Sequence, residues 1–312
     1  MAEQPILGVS LCPERFSIVA RERGTVKALA TRELVQPFDH DTLRKSEDPL
    51  SSHVEILSDL YRKVGGKNKK IALVINSDLV MLKKTPLALG LDEKIARQII
   101  EWEADQMTVS PINQYILDSH KLSFQTSNGN PVYLLVLVRK KIIQYIRRLV
   151  SRAGLQLFKV DVDVFANIRT LKDNFDISSD RNILLADIKP KYVELILVSK
   201  DEYYLSQRYA YSDAGIQAFS PDAKSIAQLI IKETKRLLFG HRLGQDIDDL
   251  DKIYVMGGEL AHHVMKELAE EVSLAVDILN PFKRIIISPE VTQSKDYLRH
   301  PEEFISCLGV KG

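Results

Sequence analysis

Few side chains here combine the types and spacings that suit chemistry. His262-His263 is one pair to weigh, since imidazole is the commonest metal ligand. The stretch around it reads as helical, where adjacent side chains point about 100° apart, so the two rings cannot share one ion. Surface placement is expected. Asp246, Asp248, Asp249 and Asp251 form an acidic run without the glycine and terminal glutamate of a calcium-binding loop, and a solvated loop is expected. Cys12 and Cys307 are the only cysteines, and no base signature accompanies either, which argues against a catalytic thiol. Arg139, Lys140, Lys141, Arg147, Arg148 and Arg152 make one side of the 140–152 segment basic, opposite Ile142, Ile143, Ile146, Leu149 and Val150. A membrane-surface helix would have this pattern. So would a packed helix with a solvated basic face, which is the expectation. No Ser/His/Asp arrangement and no phosphate-binding P-loop is readable.

Composition narrows the classes further. The chain has 312 residues, which at about 100–200 residues per domain suggests two domains or one composite one. Apolar residues make up 45% and charged residues 27%, which excludes disorder as the main state. Forty-three Lys and Arg oppose 42 Asp and Glu, a net charge of +1, so the chain as a whole gives no argument for nucleic-acid binding. A local basic patch is still allowed. Two cysteines exclude a disulfide scaffold and fit a reducing compartment. The start, MAEQPILGVSLCPERF, lacks the basic and long apolar regions of a signal peptide. The longest uncharged apolar run, Tyr133 to Val138, is far short of the about 20 residues that span a bilayer. A soluble cytoplasmic protein is expected.

Elements must position whatever site exists. ILGVSL, FSIVAR and TVKALATREL read as strands separated by turn signals at Cys12-Pro13-Glu14 and Arg23-Gly24. Residues 36–50 read as loop, and 51–64 as a helix stopped by Gly65-Gly66. KKIALVI is a strand. Asp92 to Met107 is a helix with an acidic cap and with Ile95, Ile99 and Trp102 on one face. PVYLLVLV is a strand, RKKIIQYIRRLVSRAG a helix with Gly154 as its stop, LQLFKVDVD a strand and VFANIRTLKDNF a helix. Strands at 182–188, 192–198 and 202–211 follow, then a helix at about 222–240. DKIYVMGG reads as strand and tight turn, followed by a helix at about 260–272. Strands near 276–279 and 284–287 precede a short closing helix, EEFISCLG.

An internal repeat organises these elements. ILGVSLCPERFSIVARERG (6–24) lies over ILLADIKPKYVELILVSKD (183–201) without a gap, at an offset of 183 − 6 = 177. Ile6 meets Ile183, Leu7 meets Leu184, Pro13 meets Pro190 and Ile18 meets Leu195. Ser10 meets Asp187, and Cys12 meets Lys189. Both copies read strand, proline turn, strand, charged turn, strand. The reading is a duplicated α/β fold with a cleft between two halves.

Such duplication is the mark of the actin/hexokinase-like ATPase fold. The sequence resembles one branch of it, the PilM proteins of type IV pilus assembly, relatives of the cell-division protein FtsA. ILGVSLCPERFSIVA resembles the family's first hairpin. KIARQIIEWEADQMTVSPINQYILDSHKL resembles its Trp-Glu-Ala helix and the stretch ending in a Tyr-x-x-Asp strand. YLLVLVRKKIIQYIRRLVSRAGLQLFKVDVDVFANIRTL is the closest segment. NILLADIKPKYVELILV is similar to the second phosphate-side hairpin. DKIYVMGGELAHHVMKELAEEVSLAVDILNPF is similar to the adenosine-motif region, and EEFISCLGVKG to the closing helix. The resemblance implies an actin-like, ribonuclease H-like duplicated ATPase fold with four subdomains around a nucleotide cleft. Carried over, subdomain 1A is 1–70 plus 160–180 and 300–312. The FtsA/PilM-type 1C subdomain is 71–159, and 2A is 181–299 with a truncated 2B lobe, since only about 15 residues separate Tyr211 from the next helix at Lys224.

The resemblance also implies a nucleotide site, and this sequence departs from it. Each phosphate-side turn of the family reads Asp-x-Gly and then small residues, because a carboxylate orders the metal's water and a glycine admits the backbone. The first turn here is Ser10, Cys12, Pro13, Glu14, without the acid and with a proline that has no N–H to donate. The second keeps Asp187 but replaces glycine with Lys189, followed by Pro190 and Lys191. Lys189 can meet phosphate as a point charge. The adenosine motif is reduced to Gly257-Gly258, followed by Glu259. Asp187, Lys189, Gly257 and Gly258 are thus the candidate cofactor-binding residues. ATP and Mg²⁺ are the cofactors at issue, with relics of the fold as the expected reading. No catalytic residue and no other metal is expected, because losing the first acid removes the positioning on which phosphoryl transfer depends.

The resemblance implies a function as well. The family binds the N-terminal cytoplasmic segment of a PilN-type inner-membrane protein in a groove between 1A and 1C, so a cytoplasmic scaffold of a pilus or related secretion machine is expected, held at the membrane through that partner. A concave apolar groove suits an extended or hooked peptide. The rivals are an active nucleotide-binding ATPase switch with Lys189 compensating, an FtsA-like membrane-tethered filament, and a sugar-kinase relative. The end at CLGVKG, without an amphipathic anchor, speaks against the filament. No catalytic acid or sugar pocket is legible for the kinase.

Overall fold

The computed structural model describes residues 7–44, 49–66, 68–177, 182–216, 221–299 and 301–310. Ile6, the first residue of the repeat, lies outside them. The chain divides into two compact units: Met1–Ala166, Ile287–Asp296 and Ser306–Gly312 form one, and Asn167–Ile286 and Tyr297–Ile305 the other.

In the first unit, alternating apolar residues build β1 (Leu7–Leu11), β2 (Arg15–Glu22) and β3 (Thr25–Glu33) as an antiparallel meander. After a short α1 (His40–Arg44) comes α2 (Leu50–Lys63), which buries His53, Leu57 and Leu60. The strand β4 (Lys70–Ile75) then pairs parallel with β1. The chain next leaves this sheet to build a second layer from β5 (Val80–Pro86), α3 (Glu93–Asp105), β6 (Tyr115–Gln125) and β7 (Pro131–Arg139). It returns through α4 (Lys140–Arg152) to β8 (Gln156–Val162), parallel to β4. The main sheet therefore runs β3-β2-β1-β4-β8 and the added one β5-β7-β6. The range 71–159 expected for the inserted subdomain contains the added sheet. However, β4 and β8 at its two ends pair in the main sheet, so the insertion itself occupies the residues after Ile75 and before Lys140. The following helix α5 (Asp163–Asn174) starts on Asp163, whose carboxylate accepts from Ser77 N–H at 2.9 Å, Asn76 Nδ2 at 3.0 Å and Val164 N–H at 2.8 Å.

The second unit repeats the plan: β9 (Asn182–Ile188), β10 (Tyr192–Ser199), β11 (Glu202–Ala210), α6 (Ala223–His241), β12 (Lys252–Met256), α7 (Gly258–Glu271) and β13 (Ala275–Ile278). Its order, β11-β10-β9-β12-β13, matches the first sheet strand for strand. The 177-residue offset holds in the pairing itself. Ser10 faces Ser17 as Asp187 faces Glu194, and Arg15 faces Glu33 as Tyr192 faces Ala210. Both second strands carry a bulge at the equivalent place, between Ala20 and Arg21 and between Leu197 and Val198. Both proline turns close with an equivalent bond, from Cys12 N–H to Arg15 O at 3.0 Å and from Lys189 N–H to Tyr192 O at 2.9 Å. Each sheet has its own apolar core, in which a fully buried Leu or Ile contributes about 1.5–3 kcal/mol.

Two local expectations are corrected. The helix α3 does not turn Ile95, Ile99 and Trp102 together to the core: Ile95 is 43% and Trp102 61% exposed, while Ile100 and Ala104 are buried with Ala96 and Ile99 packed beside them. Small alanines at 96 and 104, one turn on either side of Ile100, let the helix settle close to the sheet; Trp102 is too bulky for that face. Residues 284–287 form no strand. Only Ile287 makes an isolated bridge, to Val26, and Ser288 N–H donates to Val26 O at 2.9 Å.

Candidate functional site

The four residues singled out for a cofactor meet at one end of the second unit's sheet. Asp187, the next-to-last residue of β9, is buried and paired in register with Glu194 on β10 and Met256 on β12. Gly257 follows Met256 with φ +112°, and a Cβ there would sit inside the van der Waals radius of the Ile188 carbonyl oxygen. Only glycine lets β12 end against β9 in this way. Gly258, at φ +36° with open space around its Cβ position, begins α7, and Glu259 stands in that helix's first turn. Lys189 lies in the β9–β10 turn, and its Nζ is 2.9 Å from Asp187 Oδ2.

The lateral row through Asp187 continues across the sheet. Asp187, Glu194 and Arg208 are successive cross-strand partners on β9, β10 and β11. Glu194 is buried, and Arg208 Nε lies 3.3 Å from its Oε1. Burial pushes the Arg208 guanidinium down to about 10, and its charge also lies 5.1 Å from the Tyr192 ring. Tyr211, fully buried, has a hydroxyl without a hydrogen-bond partner among the described residues. Burial holds its ionisation well above the usual phenol range; Asp187 adds to that shift and Lys189 opposes it.

The first unit's equivalent row is neutral. Ser10, Ser17 and Thr31 stand where Asp187, Glu194 and Arg208 do in the other, and Ser17 Oγ and Thr31 Oγ1 are 3.0 Å apart. In the turn, Ser10 Oγ lies 3.4 Å from Cys12 Sγ, and Pro13 O accepts from Phe38 N–H at 2.9 Å. Pro13 has no N–H for a phosphate.

A magnesium nucleotide needs surplus negative charge for the ion and free donors for the phosphates. Asp187 and Glu194 are balanced by Lys189 and Arg208, and the carboxylate that would order the metal's water is already ion-paired. The residues present at this end of the sheet do not fit Mg²⁺-ATP, and no step is derived through it.

A second concave feature lies in the added layer. The three-stranded sheet leaves β6 as an edge strand. The Lys83–Glu103 ion pair, at 2.7 Å, ties α3 towards β5. A groove of about 860 Å³ remains between α3 and β6. Its floor is apolar, with Leu91, Ile100, Ile112, Tyr115, Leu117 and Tyr133. Its rim carries Glu93, Glu101 and Asp118 against the single cation Arg97, which is itself paired with Glu101 at 3.4 Å.

The other candidates resolve into structural roles. His262 and His263 are exposed on α7. The acidic run is more than a solvated loop, because each carboxylate accepts a backbone N–H: Asp246 from Ile247, Asp248 from Ser273, Asp249 from Gln245 and Asp246, and Asp251 from Asn182. Cys307 is buried, with its Sγ donating to Ser17 O at 3.3 Å.

The family model for the type IV pilus assembly protein PilM matches residues 21–212. The chain belongs to the PilM family. A comparison with curated proteins found no significant match. Among solved structures, the PilM-PilN type IV pilus biogenesis complex is similar with a TM-score of 0.73 at 19% identity, over 97% of this chain and 96% of that one. The ethanolamine utilization protein EutJ from Carboxydothermus hydrogenoformans is similar with a TM-score of 0.53 at 12% identity, over 99% of this chain and 90% of that one. At these identities the structural likeness shows the fold alone, which is the actin-like α/β fold. Among the described residues, no helix is long and apolar enough to cross a membrane.

For a PilM-family chain the sequence pointed to Asp187, Lys189, Gly257 and Gly258 and missed Glu194, Arg208 and Tyr211. A signal for two of these was present. At the 177-residue offset Glu194 overlies Ser17 and Arg208 overlies Thr31, charges in positions where the other copy has hydroxyls. The groove had no such signal, because its walls come from α3 and β6 and neither reads as concave alone.

Proposed function

We propose that this PilM-family chain is a cytoplasmic scaffold of a type IV pilus or related secretion machine that holds the N-terminal cytoplasmic segment of a PilN-like inner-membrane protein. The segment is received by the 1C subdomain, expected at 71–159 with its added layer at 76–139, and by the 1A subdomain, expected at 1–70 with 160–180 and 300–312. Residues 181–299, as 2A with a reduced 2B lobe, complete the fold without turning over nucleotide. The observation that carries this reading over the ATPase one is the Asp187–Lys189 ion pair, which occupies the acid a hydrolysing member would need for its metal. The α3–β6 groove supports the receptor role. It joins an apolar floor to an edge strand that can accept an added strand, and its acidic rim favours a segment carrying lysine or arginine.

The rival, a nucleotide-operated switch, draws on one observation, the Tyr211 hydroxyl near Asp187 and Lys189, which has no hydrogen-bond partner among the described residues. One calorimetric series separates the two. The purified chain is titrated with a synthetic peptide of the PilN-like segment and, separately, with Mg²⁺-ATP. Saturable peptide binding, weakened at least tenfold by Leu117→Arg on the groove floor, with no heat from millimolar ATP, is the expected result. Saturable ATP binding abolished by Asp187→Ala would transfer the conclusion to the switch.

A further inference from the structure

The solvent face of α4 belongs to neither feature above. Its exposed residues are Lys140, Lys141, Gln144, Arg147, Arg148, Ser151 and Arg152. They recur at three- and four-residue spacing, so they form one stripe about 18 Å long at 1.5 Å per residue. Five are cations and none is acidic. None of the five has an ion-pair partner among the described residues; Arg148 only approaches the Tyr145 ring, at 5.8 Å. The opposite stripe, Ile142, Ile143, Ile146, Leu149 and Val150, is buried in the first unit's core. The cations thus belong to a firmly held helix and reach no acid among the described residues.

The placement runs against the helix's own electrostatics. Lys140 and Lys141 stand in the first turn, where the macrodipole favours carboxylates, and there is no acid and no side-chain cap there. Arg148 and Arg152 repel across one turn. On α1, His40 has its pKa lowered first by burial and then by Arg44, Arg139 and Lys141, so the positive field reaches beyond α4; among the described residues, Asp41 acts against it. A chain with a net charge of +1 has therefore gathered on one helix a cationic strip that no acid among the described residues pairs with.

We propose that this face docks on a bilayer surface carrying anionic phospholipid. The strip is straight, convex and without an exposed apolar or aromatic side chain. It can lie along a plane of phosphates, but it offers no pocket for a peptide and no ring on which a nucleic-acid base could stack. Because the apolar stripe is buried, docking is electrostatic and shallow, without insertion. The inference rests on the reading that a membrane protein's segment is the chain's partner. The strip would supply a second, weak contact that turns one-point attachment into two.

Co-sedimentation with vesicles tests it. The full chain is mixed with phosphatidylglycerol-containing vesicles and with pure phosphatidylcholine vesicles, at low and high salt. Binding to the anionic vesicles alone, falling with salt, is expected. Arg147→Glu with Arg148→Glu should reduce partitioning roughly 1,000-fold, and Lys140→Gln with Lys141→Gln by about 30-fold. Unchanged melting of both variants, and unchanged affinity for the PilN-like peptide, would assign the loss to the strip. Equal binding to both vesicle types, no binding to either, or tighter binding to duplex DNA or polyglutamate than to anionic vesicles would overturn the proposal. Vesicle binding without peptide binding would sink the partner reading and leave this one standing, and the reverse result would do the opposite.

Discussion

At the scale of single residues, the structure puts charge where strand patterns expect none, and burial sets what each charge costs. Lys84 on β5 is the clearest titrating case. Burial pushes its ammonium down to about 8, and it lies 5.5 Å from the centre of the Phe124 ring. The folded chain then releases this proton at lower pH than the unfolded chain, whose lysine titrates near about 10.4. Below the folded value both states are protonated and the folded state bears the full penalty. Between that value and the unfolded one, the unfolded state holds the extra proton, so stability rises with pH. Urea midpoints measured from pH 7.5 to pH 10 should therefore climb more steeply in the parent chain than in Lys84→Met. Parallel curves would remove the assigned cause. His53 makes a quieter case of the same rule: a polar ring with no exposure is tolerated because Nε2 donates to Gln36 O at 2.8 Å while Nδ1 accepts from the Tyr145 hydroxyl at 2.7 Å.

Element by element, the two halves differ most in what lies between the fourth strand of each sheet and the helix that follows it. In the first unit the added layer fills residues 76–139. In the second the same connection is Gly257 alone, between Met256 and α7. A one-residue connection forces the backbone to φ +112° and presses it on the Ile188 carbonyl, so substitution there acts on the whole strand-to-helix junction. Gly257→Ala should cost about 2–4 kcal/mol of unfolding free energy, from backbone strain and overpacking together. Gly258→Ala, strained in backbone but with open space for the methyl, should cost about 1 kcal/mol. Chemical denaturation of both variants reads the difference, and equal costs would mean that the close approach to Ile188 is not what holds the turn. The groove between α3 and β6 is likewise a property of elements. Helical spacing puts Ile95, Ile99 and Trp102 on one face of α3, whereas the sheet beneath accepts the narrower face with Ala96, Ile100 and Ala104, and of the three only Ile99 packs against it.

The whole molecule is a duplication whose copies keep geometry more faithfully than chemistry. In the hairpin joining the second and third strands, Arg23 and Gly24 have φ +49° and +80°, and Lys200 and Asp201 at the offset positions have φ +51° and +62°. Both are two-residue turns of the kind that right-twisted strands favour, but only the first copy has glycine at the second position. Asp201 bears the left-handed strain and also leaves Oδ1 buried without a hydrogen-bond partner among the described residues. Asp201→Gly should therefore raise stability by about 1 kcal/mol, a gain visible as a higher melting temperature. A drop would mean that the carboxylate does work the first copy does not need. The same fidelity shows how the sequence could be read. Strand alternation, proline and glycine turns and an ungapped offset are local signals, because the groups that make a hairpin are neighbours in the chain. They carried most strands of the two main sheets, the correspondence between the two hairpins, and the helix α4 with its buried stripe. Contacts between distant segments decided the rest. Only the folded sheet sets Glu194 and Arg208 in one row with Asp187, directs Lys189 onto that acid, rotates α3 by one position, and opens a groove beside β6. Those features depend on which side chain finds room or a counter-charge across the fold, and residue spacing along one strand or helix does not encode it.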